Sequence, residues 1–129
     1  MAIKPKSTVN EVRFEHRGHY LFALISGEDE ELATSQANWR LIADTCRAGN
    51  YKRVMIVEEI EAELSFMDQF EFAAGLTELG FNGIKTAFVD QKIEQFDNNK
   101  FAEDVAVNRG ANGRLCRTIE EAEAWLLKP

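Results

Sequence analysis

The stretch HYLFALIS, residues 19–26, decides the fold of this chain. It is apolar without interruption from its tyrosine to its isoleucine, so a strand formed here should be covered on both faces. Strands buried on both sides lie in the middle of a sheet flanked by helices. The preceding run, VNEVRFEH (9–16), has Val12 and Phe14 at strand spacing, and Gly18 can supply the positive φ of a tight turn. The two runs therefore predict a hairpin that begins the sheet.

The rest of the chain alternates helical patterns with short apolar strands. Helices are predicted at 28–48, 65–80, 97–109 and from Thr118 onwards, and further strands at 53–58, 84–90 and 113–117. The third of these helices has Asp97 or Asn98 as its expected N-cap. This order predicts a single α/β domain over residues 1–129, with a mixed five-stranded sheet, about four helices and an antiparallel first strand.

Composition narrows the class of function. The net charge of −7 disfavours a nucleic-acid binder, because phosphate contacts need a basic surface. The start of the chain lacks the apolar stretch of a secretory signal, and the apolar runs are too short to span a bilayer. Cys46 and Cys116 match no zinc or redox spacing, so we expect reduced, packed thiols in a cytoplasmic protein.

Acidic residues follow two of the predicted strands. They are Glu58, Glu59, Glu61 and Glu63 after one strand and Asp90 after the other. Ligands of open α/β sheets bind beyond the carboxyl ends of the strands, where such acids could hold Mg²⁺ or act in general acid–base chemistry. Neighbouring acids in a loop more often point in different directions into water. No catalytic or metal-binding residue is therefore predicted, although binding of a cation by Glu58, Glu59 and Asp90 stays open.

Two other polar groups have simple structural interpretations. His16 and His19 flank the predicted turn, but no third ligand is spaced to join them on a metal, so exposed histidines are expected. Asn108-Arg109-Gly110 could be a polar binding triplet. The favoured interpretation is a helix end, with Arg109 near the negative end of the helix dipole and Gly110 in the left-handed conformation.

The segment SFMDQFEFAAGLTELG (65–80) is more apolar than one packed face requires. Ser65 is the predicted N-cap, with Asp68 completing a variant of the capping box. At helical spacing its apolar residues fall on two flanks, one around Phe66 and the other containing Phe72 and Leu76. Packing against a neighbouring helix would explain the second flank. We instead hypothesise that residues 66–79 recognise a partner, so that aspartate at Phe72 or Leu76 would abolish binding while stability stays nearly intact.

The element order, with SFMD at the head of this helix, resembles the STAS domain, and more closely its SpoIIAA-like stand-alone bacterial group. Further similarity lies in GHYLFALISG (18–27), LGFNGIKTAFV (79–89) and FAEDVAVNRG (101–110). The resemblance implies a sheet in the order 1-3-2-4-5, no cofactor and no catalysis. In the anti-sigma-factor antagonist of that group a phosphorylated serine follows SFMD. Gln69 occupies this position and has no hydroxyl, so that phosphorylation switch cannot operate there.

The resemblance implies a cytoplasmic, non-enzymatic regulatory or interaction domain whose partner is a protein or a second copy. The residues expected at the contact are Ser65, Phe66, Asp68, Gln69, Phe72 and Leu76. An alternative is a carrier or sensor of an apolar ligand, by likeness to the CRAL-TRIO lipid carriers. It predicts a cavity of roughly several hundred Å³ lined by Phe66, Phe70 and Phe88. An enzyme using Glu58 and Asp90 is the least favoured hypothesis.

Overall fold

The computed structural model describes residues 11–27, 31–60, 64–90 and 96–129. Within them the strands are β1 (Glu11–His16), β2 (Leu21–Gly27), β3 (Arg53–Ile60), β4 (Lys85–Val89) and β5 (Gly113–Cys116). The helices are α1 (Leu32–Ala48), α2 (Phe66–Ala74), α3 (Phe96–Asn108) and α4 (Ile119–Leu126). A 3₁₀ turn, Leu76–Leu79, follows α2. The predicted α/β class, the five-stranded mixed sheet and the four helices are confirmed.

The strands of the sheet lie in the order of the sequence, β1-β2-β3-β4-β5. The antiparallel β1 is confirmed, and the other neighbouring pairs are parallel. The predicted order 1-3-2-4-5 is wrong. Gly18, with a φ of 75°, sits in the tight turn that keeps β1 beside β2. Each later strand is then added next to the one before it by a helical crossover, always in the same direction.

The sheet separates two hydrophobic cores. Helices α1, α2 and α3 cover one face, where Ile25, Ile42 and Ile56 are fully buried. Only α4 packs on the other face among the described elements, over β3, β4 and β5. One face of β2 is buried through Leu21, Ala23 and Ile25, whereas Phe22 and Leu24 on the other face are only partly buried, so the predicted cover on both faces is partial. Cys46 and Cys116 are both free and buried, as predicted, and they lie in opposite cores.

Two predicted helix boundaries are wrong. The helix expected over 65–80 ends at Ala74, where the N–H of Gly75 donates to the carbonyls of both Glu71 and Phe72. Glycine has a low helix propensity, and the chain tightens here into the 3₁₀ turn. Helix α3 is described as Phe96–Asn108, so the positions of Asp97 and Asn98 lie inside the helix rather than before it.

The N-cap of α2 provides a first prediction. The Oγ of Ser65 accepts a hydrogen bond of 3.2 Å from the N–H of Asp68, one of the donors at the helix start that lack a partner within the helix. Ser65→Ala should lower the free energy of unfolding by about 1 kcal/mol, whereas Ser65→Asp should retain most of it. Urea unfolding at neutral pH measures both. Equal stability of the alanine and aspartate variants would show that the cap contributes nothing.

Candidate functional site

An exposed aromatic patch lies at the head of α2, where it meets α3. We define the aromatic patch as Phe66, Met67, Phe70 and Phe101. Phe66 and Met67 keep 53% and 70% of their surface exposed. The rings of Phe66 and Phe101 stack with centroids 5.1 Å apart, and the ring of Phe70 lies 6.3 Å from that of Phe101. The patch is therefore one contiguous apolar surface contributed by two helices.

Charged groups border the aromatic patch. Asp68 lies directly after Met67, and Glu71 is exposed one turn after it. On another side, the guanidinium of Arg109 lies 5.5 Å from the centre of the Phe70 ring, within the range of a cation–π contact. Arg109 follows α3, and Gly110 has a φ of 96°, so the predicted helix end at these residues is confirmed. The border along α2 is acidic.

The residues predicted to contact a partner divide into an outer and an inner group. Ser65 and Phe66 are exposed and Asp68 is half-buried. Gln69 and Leu76 are buried, and Phe72 packs edge-on against Trp39 with ring centroids 5.0 Å apart. The flank that contains Phe72 and Leu76 therefore faces the core, which disagrees with its predicted role in recognition.

Sequence reasoning did not select Met67 or Phe101. Both are large apolar side chains that the structure leaves exposed. Helical periodicity alone does not show which side of a helix meets the sheet. The buried positions Gln69 and Ala73, four residues apart, mark the inner side of α2. Met67 lies near the start of α2 and away from the side marked by Gln69 and Ala73. Its position at the surface could therefore have been expected.

A small cavity, which we call the inner pocket, lies beneath α2 between α1, α3 and the sheet. Its volume is about 100 Å³. The apolar part of its wall includes Trp39, Phe72, Ala73, Leu76, Phe88, Ala102 and Ala106, and the polar part includes Ser35, Glu58, Gln69, Thr86, Asn99 and Glu103. The Nε1–H of Trp39 donates to the carboxylate of Glu58 over 3.2 Å. The inner pocket is thus mainly apolar, with polar groups from several elements.

The inner pocket does not match the cavity expected for an apolar carrier. Its volume is a fraction of the predicted several hundred Å³, and only Phe88 of the three predicted phenylalanines lines it. Phe66 and Phe70 belong to the aromatic patch instead. A larger groove of about 560 Å³ runs along β5, but Lys100, Glu103, Arg114, Arg117 and Glu121 make most of its wall polar.

The described acids at the ends of the strands do not form one cluster, although Glu58 and Asp90 lie side by side, directly after the paired residues Val57 and Val89. Glu58 lines the inner pocket, whereas Glu59, the next residue along β3, is exposed and alternates to the other face of the sheet. Asp90 accepts a hydrogen bond from the side-chain amide of Asn99. Glu61 and Glu63 lie outside the described residues. Because the strand order never reverses, the sheet also lacks the switch point at which ligands of open α/β sheets usually bind.

The described residues contain no cluster of three or more His, Cys, Asp or Glu side chains placed to hold a metal ion. His16 and His19 are exposed, as predicted. The Nδ1 of His16 is hydrogen-bonded to the hydroxyl of Tyr51 at 2.7 Å, which holds this imidazole against the start of β3.

No protein-family model matches the chain, and no curated protein matches it either. The fold and the site define a small α/β protein in which α2 presents an aromatic patch outwards and covers a small pocket inwards. Along the ranges that the structure describes, none of the helices has the length and apolar character needed to cross a membrane.

Proposed function

We propose that this chain is a non-enzymatic interaction domain that binds a partner protein at the aromatic patch. The exposure of Phe66 and Met67 on a capped helix carries the proposal. Large apolar side chains gain free energy when they leave water, and contiguous exposed apolar surface bordered by polar residues marks interaction sites. Aromatic residues and methionine are also enriched in protein–protein interfaces.

The acidic residues that border the aromatic patch indicate which charge the partner's surface should carry. Asp68 and Glu71 lie beside the aromatic patch, and the whole chain carries a net charge of −7. In a symmetric dimer both copies would contribute the same surface, so four acids would enter the interface and, among the described residues that border the patch, only the Arg109 of each copy would face them. We therefore propose a different protein, which contributes an apolar side chain flanked by lysine or arginine.

The sequence resemblance supports a regulatory role for this contact. The SFMD run that carries the likeness to STAS domains includes Phe66 and Met67 of the aromatic patch. The sheet order differs from the one that this likeness implies, so the proposal rests on the surface itself. Gln69 is buried and has no hydroxyl, so we propose no phosphorylation switch at that position.

A capture experiment with matched variants tests the proposed function. The tagged wild-type chain, the double variant Phe66→Ser/Met67→Ser and the control Leu41→Ser are incubated with a lysate of the source cells. Leu41 is a large exposed residue on α1, outside the aromatic patch. A specific partner should be retained by the wild type and by the control, and lost by the double variant. Its binding should weaken as salt is raised, because opposite charges at the border are then screened.

Two results would overturn this proposal. The first is recovery of the same proteins by the double variant and by the wild type. The second is a wild-type dimer, detected by light scattering, that dissociates in the double variant, since the aromatic patch would then bind a second copy. Retention of folding by each variant is checked by circular dichroism.

A further inference from the structure

Two residues that line the inner pocket each carry a buried polar atom without a hydrogen-bond partner among the described residues. These atoms are the Oγ of Ser35 on α1 and the Oε1 of Gln69 on α2. Ser35 is only 3% exposed and Gln69 only 8%. Buried polar side chains are almost always hydrogen-bonded, because an unsatisfied one loses its interaction with water and gains nothing in return. Two such atoms, on residues of different helices that line one pocket, point to a missing partner molecule.

The size of the inner pocket limits that molecule. Its volume is about 100 Å³. Since an engineered cavity of about 150 Å³ accepts benzene, a molecule of roughly four or five non-hydrogen atoms should fit here. The rings of Trp39, Phe72 and Phe88 form much of the wall, so the body of the molecule should be apolar.

The polar groups of the wall define the chemistry of its head group. The amide oxygen of Gln69 can only accept a hydrogen bond, whereas the hydroxyl of Ser35 can donate or accept. The carboxylates of Glu58 and Glu103 also line the pocket and would repel an anion. Glu58 accepts from Trp39, and Glu103 accepts from the N–H of Leu115. A neutral group that both donates and accepts suits the two unsatisfied atoms, and a hydroxyl is the smallest organic group that does both.

We propose that the inner pocket binds a small neutral alcohol, with its hydroxyl at Ser35 and Gln69 and its hydrocarbon part against the aromatic wall. This goes beyond the proposed function and does not depend on it. Gln69 lies on the inner side of α2, whereas Phe66 and Met67 lie on the outer side. Failure of the alcohol to bind would therefore leave the interaction proposal untouched.

Titration with two matched probes, followed by NMR, tests the proposal. Isobutanol and isopentane have the same branched shape and the same number of non-hydrogen atoms, and they differ by a hydroxyl in place of a methyl group. The indole N–H of Trp39 reports on the inner pocket, and that of Trp125, in the core on the other face, serves as the internal reference. We expect saturable shifts of the Trp39 signal alone, with isobutanol binding about tenfold more tightly than isopentane.

Variants of the polar wall provide the decisive comparison. Ser35→Ala, Gln69→Met and the double variant should lose the preference for isobutanol, and the double variant should prefer isopentane. Thr86→Val is the control, because Thr86 lines the same pocket but its hydroxyl already donates to the carbonyl of Ile84 over 3.1 Å. This variant should keep the wild-type preference.

Three results would overturn the proposal. The wild type could bind isopentane as tightly as isobutanol, or the Trp39 signal could fail to move at the solubility limit of isobutanol. Alternatively, the preference for isobutanol could survive in both single variants, which are measured separately in case the double variant does not fold. A crystal structure of the wild type soaked in isobutanol distinguishes the bound alcohol from ordered water at the same two atoms. Water that the alcohol fails to displace would also contradict the proposal.

Discussion

Leu76→Asp is expected to remove most of the free energy of unfolding at room temperature. Leu76 is buried in the core between the sheet and the helices on its first face. The substitution removes a packed leucine and buries a carboxylate in its place, which together should cost at least about 4 kcal/mol. That loss approaches the whole stability of a domain of this size. Circular dichroism and urea unfolding at neutral pH measure the effect.

Met67→Asp is the matched control for this prediction. Met67 is the most exposed large apolar residue that the structure describes, and it lies on the α2 segment that leads into Leu76. Its substitution should change the free energy of unfolding by no more than about 0.5 kcal/mol. A folded Leu76→Asp protein with near wild-type stability would contradict the packing described above. In that case the flank that contains Phe72 and Leu76 would again be the expected site of partner recognition.

Stability is expected to fall steeply between about pH 9 and about pH 11. Cys46 and Cys116 are completely buried, and burial raises the pKa of each thiol from 9.0 to about 11. Unfolded thiols ionise first, so the folded state holds more protons between these two values and its stability decreases as pH rises. The stabilisation is complete below about pH 9 and is lost as pH passes through 11. Each thiol should account for roughly 3 kcal/mol of this loss.

Urea unfolding at a series of pH values from about 8 to about 10.5 measures how steeply the free energy of unfolding falls with pH. The control is Cys46→Ala/Cys116→Ala, which should be less stable at neutral pH but should lose much less stability on going to alkaline pH. Burial and the hydrogen bond to Glu123 also raise the pKa of Tyr20, and this contribution has the same sign in both proteins. An identical slope in wild type and double variant would rule out the thiols as its cause.

The order of the strands shows which part of the fold could be predicted from the residues. The run in 19–26 and the glycine at 18 correctly predicted an interior strand joined to β1 by a tight turn, although β3 and not β2 is central. The order 1-3-2-4-5 came from family resemblance and placed another strand between these two neighbours. Local patterns and crossover rules thus described this sheet better than the likeness did. The order implied by the likeness did not show which strands are neighbours in this chain.

The candidate site was less predictable, for reasons that lie in α2. Helical periodicity showed two apolar flanks but not which of them meets the sheet. The break at Gly75 settles this, because the 3₁₀ turn after it buries both Leu76 and Leu79. The inner pocket was beyond sequence reasoning altogether. It depends on Ser35 and Gln69 lining one space from different helices, and the motif that singled out Gln69 says nothing of Ser35.

The sequential arrangement of the strands also has a consequence for how the molecule forms. Every strand after the first pairs with the strand just before it, but the parallel pairs join distant residues, such as Leu21 with Val54 and Val54 with Thr86. Each of these crossovers must close before its strands can pair, so this pairing is slower than the formation of the β1–β2 hairpin. During synthesis, the strand with which each new strand pairs has already been made. An unpaired strand edge therefore stays exposed only until the next strand is synthesised.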